Sequence, residues 1–225
     1  AAAIRRGMDT IEERTKHYLH VVTTDTSFLA RAQGIGVTSK EEADTLGLLG
    51  PTLRAAGVAR DVRVDAPYGS YKQFPVKSIV DSAGDLAARF KVRMLEVLES
   101  VRVIRTILDG LPEGDLSVKF PRKIAAAETI SRFEAPRGEL FYYIKSNGTD
   151  KPERVKIRTP SICNWIYVLK KAVGSQMADV PPLLAGIDPC FSCNDRMIVV
   201  NRRGGDRRIW TRDDLRRDAS TKIRR

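Results

Sequence analysis

The sequence predicts an α+β fold, predominantly α, with a helical-bundle core and a small β-hairpin region. Residues 85–110 repeat apolar side chains at Ala87, Phe90, Met94, Val97, Val101, Ile104 and Leu108. These alternating steps of three and four keep one helical face apolar over nearly four heptads. Leu95, Leu98 and Ile107 add a second apolar flank, which belongs in the middle of a bundle. Residues 140–145 and 154–158 are rich in aromatic and β-branched side chains, and Ser146-Asn147-Gly148-Thr149-Asp150 between them is a turn signal. That pattern predicts a β-hairpin with a longer loop.

The other elements follow in chain order. Residues 1–7 read as the interior of a domain and not as a natural start. Residues 9–32 predict a helix with Ile11, Tyr18, Val22 and Leu29 on one face, ended by Gly34 and Gly36. Ser39-Lys40-Glu41-Glu42 is a capping box opening a short helix. Residues 43–77 read as loop, with the paired Tyr68 and Tyr71. Gly110 and Pro112 stop the long helix, on which Glu96 and Glu99 form a solvated or partner-facing edge. Residues 162–174 return to helix. Residues 197–200 and 207–210 form a second small hairpin turning at Gly204-Gly205, and a short capped helix starts at Thr211.

A chain of 225 residues buries a large core, and its composition is that of a globular protein. No stretch approaches the roughly 20 apolar residues needed to cross a bilayer, and no secretory signal is visible. The net charge of +11 is uneven. Residues 197–225 hold ten Lys/Arg against four Asp, more than half of the excess. Apart from Trp210, that tail lacks the aromatics that single-strand binding wants, so the charge fits a subunit facing a partner or anionic lipid, and no nucleic acid is expected.

Three cysteines make a disulfide framework unfit. Cys190 and Cys193 form a Cys-x-x-Cys pair, whose two-residue gap lets both thiolates face one soft or borderline metal such as zinc, nickel or iron. Two thiolates are half of a tetrathiolate site. Cys163 reads as a small buried residue, and His17 and His20 as surface or packing residues, although their i, i+3 spacing would also let them share a metal.

Asp188-Pro189-Cys190-Phe191-Ser192-Cys193-Asn194-Asp195-Arg196 resembles the C-terminal metal-binding signature of nickel–iron hydrogenase large subunits. The Arg196 variant resembles the membrane-bound, energy-converting group that includes formate hydrogenlyase-like enzymes. Phe133-Glu134-Ala135-Pro136-Arg137-Gly138-Glu139-Leu140 resembles the same family's Glu-Ala-Pro-Arg-Gly segment, and Pro160-Ser161 falls where the family has Pro followed by Ser or Thr. Gly50-Pro51-Thr52, Ala56-Gly57-Val58, Asp61-Val62-Arg63 and Pro67-Tyr68 match its general pattern, so the resemblance runs from about residue 4 to the end.

The resemblance implies the fold of that large subunit. It implies metal ligands at Cys190 (nickel) and Cys193 (bridging nickel and iron), with CO and cyanide on the iron. It implies catalytic roles for Arg137, over the open face of the metals, and Asp188, paired with that guanidinium. Pro160 and Ser161 would line the pocket of the diatomic ligands. The implied partners are a small subunit holding a 4Fe-4S cluster, membrane subunits that move ions, and ferredoxin or a formate dehydrogenase module, on the cytoplasmic side of the membrane. Residues 1–196 would be the C-terminal portion of the large-subunit domain, and 197–225 a basic extension of the kind removed on maturation. The family's other Cys-x-x-Cys, and the proton-relay glutamate near it, have no counterpart among these residues.

Plainer readings of the same residues stay open. Arg137 fits a surface turn, Ser161 a helix N-cap and Asp188 a turn start before Pro189. As a whole, the chain also admits a complex I-like quinone-site subunit, whose members generally lack the cysteine pair, or a zinc-stapled nucleic-acid-binding module, which needs two more ligands.

Overall fold

In the computed structural model, which describes residues 1–111, 113–115, 117–119, 123–194, 197–200, 207–210 and 212–223, helix α1 (Ala2–Thr24) lies antiparallel along helix α6 (Leu86–Asp109). Arg5 pairs with Asp109, Arg105 with Asp9 and Glu12, and the Phe28 ring packs on Phe90. The helix expected over 9–32 is two helices. Asp25 takes an extended ψ of 117° that ends α1, and its carboxylate then accepts the Phe28 N–H to cap α2 (Thr26–Ala30). Ile11 and Tyr18 stay 41% and 52% exposed, because α6 covers only one side of α1.

The capping box holds as expected. Ser39 accepts the Glu42 N–H and starts α3 (Lys40–Thr45). The stretch read as loop contains two more short helices, α4 (Gly50–Arg54), with Pro51 in its first turn, and α5 (Val62–Asp65), capped by Asp61. Both are too short for a helical period to show in sequence.

Asp85 caps α6 by accepting the Ala88 N–H at 2.8 Å. Of the seven stripe positions only Val101 is fully buried; Leu86, Ala88, Val92 and Val103 are the other apolar side chains of α6 sealed in. The helix is covered from several directions, by α1, α4 and α8, so burial does not follow one heptad seam. Glu96 and Glu99 are not a solvated edge. Glu99 is buried and takes the Lys77 N–H and the Arg102 guanidinium, and Glu96 takes Arg54.

The sheet has three antiparallel strands in the order β1 (Ala127–Ala135), β2 (Gly138–Ser146) and β3 (Arg154–Arg158). Sequence reading found the β2–β3 hairpin and missed β1. Ala135 pairs with Gly138, so Pro136 and Arg137 alone form the β1–β2 turn. Glu139 on β2 ties the three strands together by receiving Arg132 from β1 and Arg158 from β3.

Helix α7 (Pro160–Ala172) packs on β2 and on α8 (Val180–Gly186), which follows a 3-10 turn at Met177–Asp179. Thr159 is the N-cap of α7 and Pro160 its first residue, so Ser161 is not the cap: the fixed φ of proline suits the first helical position. Ala43, Leu48, Leu53, Tyr167, Leu183 and Ile187 form the core among α3, α4, α7 and α8. The Tyr167 ring lies 4.1 Å under the buried Arg89 guanidinium.

These elements make up one compact unit, Ala1–Asp188. The other, Pro189–Arg225, contains a 3-10 turn at Ser192–Asn194, the antiparallel strands β4 (Met197–Val200) and β5 (Arg207–Trp210), and helix α9 (Arg212–Ile223). Pro112, Arg196, the Gly204-Gly205 turn and Thr211 lie outside the described residues. The observed architecture is α+β and mainly helical, and none of the described helices is long and apolar enough to cross a membrane.

Candidate active site at the Arg137 turn

A two-residue turn leaves its tip side chain little freedom, and here the turn is wedged against α4. A Cβ on Gly50 would sit 2.5 Å from the Arg137 carbonyl oxygen, and one on Gly138 2.7 Å from Leu49 Cβ. Both glycines have positive φ, 61° and 125°. The fully buried Asn164 on α7 stitches this contact. Its Oδ1 accepts the Leu49 N–H at 2.9 Å, and its Nδ2 donates to the Leu49 and Arg137 carbonyls. The backbone that carries Arg137 is thereby fixed from two sides.

The Arg137 side chain reaches Asp188. Its Nε donates to the Asp188 carbonyl at 2.6 Å, and its Nη2 lies 3.2 Å from the carboxylate. Asp188 itself has a φ of +50°, a left-handed conformation that favours glycine or asparagine, and the double grip of Arg137 helps hold it there. Asp188 is also the last residue of its unit.

Arg54, Arg93, Glu96, Glu134, Pro136 and Asp188 line a cavity of about 420 Å³ beside this turn. Its floor is a buried ionic network. Arg54 donates to Glu96 and Glu134, both at 2.7 Å, and to the Arg60 carbonyl at 3.0 Å. Asp61 lies 3.5 Å from Arg54 and accepts both ends of the Arg63 fork. Burial pushes the Glu134 carboxyl above its ordinary value, and Arg54 only partly reverses this. For Asp61 burial acts in the same direction, but Arg63 and Arg54 outweigh it and hold the carboxyl below its ordinary value.

The structure therefore brings Arg137 and Asp188 together. Pro160 and Ser161 form the buried first turn of α7, one turn before Asn164. Cys190 and Cys193 bracket a tight turn in the second unit. The Cys193 N–H donates to the Cys190 carbonyl at 3.1 Å, and Asn194 Nδ2 donates to the same oxygen at 2.9 Å. Side chains three apart in such a turn share one side, as two thiolates on one metal require. Among the described residues no cluster of three or more His, Cys, Asp or Glu forms a metal site. A Cys-x-x-Cys pair supplies two of the four thiolates of a tetrathiolate site. His17 and His20 are exposed on α1, and burial pushes the thiol of the half-buried Cys163 up, away from ligand chemistry.

Sequence reasoning singled out Arg137 and Asp188 but not Arg54, Arg93, Glu134 or Asn164 as site residues. The available signal was ionic residues inside apolar helical periods, Arg93 and Glu96 in α6, and Glu134 inside the Glu-Ala-Pro-Arg-Gly block.

The chain is 40% identical to the carbon monoxide-induced hydrogenase of Rhodospirillum rubrum, over 77% of this chain and 48% of that protein. It is 39% identical to an NADH-quinone oxidoreductase subunit of Clostridium beijerinckii, over 80% of this chain and 49% of that protein. Among solved structures, a chain of the membrane-bound sulfane sulfur reductase, an archaeal respiratory membrane complex, matches with a TM-score of 0.77 and 34% identity, over 84% of this chain and 53% of that one. The chain spans about half the length of the curated relatives it matches. The family model described as respiratory-chain NADH dehydrogenase, 49 Kd subunit, matches residues 1–129 and 118–196. The chain belongs to this family of oxidoreductase subunits, whose relatives include parts of membrane-associated energy-converting complexes.

Proposed function

We propose that this chain is the C-terminal part of the catalytic large subunit of a nickel–iron hydrogenase of the membrane-bound, energy-converting group. One observation carries the reading: the Cys190–Cys193 pair begins two residues after Asp188, whose carbonyl and carboxylate hold the Arg137 guanidinium. Covalent geometry alone keeps the Cα of Cys190 within about 8 Å of that of Asp188. Bound by Cys190 and Cys193 with two thiolates from elsewhere, nickel and iron would supply the redox chemistry that interconverts hydrogen with protons and electrons. The chain's own residues then have definite tasks. Arg137 presents a fixed positive charge that needs no reorganisation during reaction. Asp188 orients that guanidinium. Pro160 and Ser161 contribute a dry wall, and the Asn164 clamp keeps the turn from shifting. In this reading the subunit works beside a small subunit with a 4Fe-4S cluster and with ion-moving membrane subunits, passing electrons to ferredoxin or a formate dehydrogenase module. It is peripheral on the cytoplasmic side of the membrane.

The test is Cys193→Ser in the assembled complex, followed by metal analysis and hydrogen turnover. Both nickel and turnover are expected to vanish, while Cys163→Ala retains both. Turnover that survives Cys193→Ser overturns the reading. A second reading, a quinone-site protein without metal, is favoured by the 39% identity to the NADH-quinone oxidoreductase relative. A native complex free of nickel, with quinone reductase activity unaffected by Cys193→Ser, would select it.

A further inference from the structure

Helix α7 is apolar on two opposite sides. Towards the core it buries Ser161, Asn164, Tyr167 and Val168, and the last two belong to the cluster shared with α3, α4 and α8. On the far side stand Ile162, Ile166 and Leu169, 52%, 42% and 64% exposed, followed by Val173 at the helix end, 83% exposed. They are spaced by four, three and four residues. At 3.6 residues per turn this spacing lines the four side chains up in one narrow stripe along the helix. Lys170 is the one other exposed residue of α7, and it pairs with Glu42. A helix whose outer face meets water carries polar side chains there, and one that is apolar on opposite sides belongs in an interior. Single apolar residues on a surface need no explanation, but four in register along one helix do.

The form of the stripe says what fits it. Steps of four and three are the spacing of a helix–helix seam, in which each side chain enters a hole between residues of the facing helix. Four side chains fall far short of the roughly 20–30 residues a side that hold two free proteins together. The occupant is therefore kept in place by further contacts of its own. The relatives supply such polypeptide, since they are about twice as long as the part that matches this chain. We propose that the outer stripe of α7 is the docking seam for an amphipathic helix from the other half of the large subunit, the half that the relatives carry outside the match. Its apolar side chains would interdigitate with Ile162, Ile166, Leu169 and Val173. On the opposite side of α7, Asn164 holds the Arg137 carbonyl, so the docked helix backs the element that fixes the Arg137 turn. The inference rests on reading the chain as part of a large subunit and is independent of which metal, if any, that subunit holds.

The experiment uses the complex purified from its native cells, with the photoreactive residue p-benzoylphenylalanine placed at Ile162 or at Leu169. After irradiation and digestion, mass spectrometry identifies the peptide attached at each position. Both adducts are expected in one segment, about seven residues apart as on one facing helix, and that segment is expected to match the half of the relatives outside the match with this chain. Because the bulky label could block assembly, Leu169→Cys is read in the same complex with a water-soluble maleimide. Its thiol is expected to react about tenfold or more slowly than that of Lys151→Cys, on the exposed β2–β3 loop. A thiol at 169 as reactive as the one at 151 overturns the proposal, as do adducts to a second copy of these 225 residues or to a different subunit. Nickel content of the same preparation reports on the hydrogenase reading separately. A nickel-free complex that gives the expected adducts sinks that reading and keeps this one.

Discussion

Arg54 Nη1 and Glu134 Oε1 lie 2.7 Å apart with their side chains only 1% and 4% exposed, so the cavity floor is an ion pair sealed from water. Arg54 also serves Glu96 and sits beside the fully buried Asp61. Replacing it by Met leaves Glu96 and Glu134 without their counterion, while Asp61 keeps Arg63. A buried pair broken on one side costs about 3–5 kcal/mol. Arg54→Met is therefore expected to fall by about that much in chemical denaturation of the assembled protein. A loss below about 1 kcal/mol would show that water already screens the network.

Acid acts on Glu139 and Glu134 in opposite directions. Burial alone would push the Glu139 carboxyl up, but Arg132 and Arg158 outweigh it and hold the carboxyl below its ordinary value. Its stabilisation is complete above the ordinary carboxylate range and is lost as pH falls through the depressed folded value. For Glu134 burial wins over Arg54, so its ionised form weighs against the fold at neutral pH, and that penalty is relieved as pH falls through the raised value. Melting temperatures from about pH 3 to pH 7 should show a flatter acid limb for Glu139→Gln than for wild type. An unchanged limb would mean that other carboxylates carry the acid sensitivity.

Arg137→Lys keeps the charge but has no fork to divide between the Asp188 carbonyl and carboxylate. The pair is partly exposed, so folding should change by less than about 1 kcal/mol. On the hydrogenase reading proposed above, turnover should drop about a hundredfold, the usual effect of removing one fixed electrostatic donor. Asp188→Asn leaves the carbonyl contact intact and should lose less. The measurement is hydrogen turnover beside a melting curve. Equal losses in activity and stability would reduce Arg137 to a structural role.

The long helix, the capping box at Ser39 and the β2–β3 hairpin were legible because each rests on local pattern: an apolar period, a cap spacing, a turn between β-branched runs. The break at Asp25 was not, since one residue in extended conformation leaves no mark on a period. The pairing of Arg137 with Asp188, 51 residues apart, was reachable only through the resemblance of two short motifs. The roles of Glu96 and Glu99 were misread because a carboxylate on a helix is ordinarily solvated. Arg54 and the Lys77 N–H come to them through a short helix and a loop whose path no periodicity encodes, whereas Arg102 is the i+3 neighbour of Glu99 on α6 itself. Arg54 and Asn164 were invisible for the same reason: their importance lies in what long-range packing places around them.

The contact of Gly50 with the Arg137 turn gives the most local prediction. Gly50 has a φ of 61°, and an added Cβ would come within 2.5 Å of the Arg137 oxygen and of Gly138 N and Cα. These are backbone atoms, so no side chain can rotate away. Ala at this position faces both a disfavoured backbone conformation and a steric conflict, each costing about 1–3 kcal/mol. Relief comes only by moving the turn, which would also strain the Asn164 bonds to Leu49 and Arg137. Gly50→Ala should therefore unfold more easily by roughly 3 kcal/mol and lose turnover beyond what the remaining folded fraction explains. Gly47→Ala is the control. Its φ is 64° and nothing lies within 4 Å of the added Cβ, so it should show the backbone cost alone and leave turnover per folded molecule intact. If both variants behave alike, the close approach of α4 to the Arg137 turn has no bearing on the site.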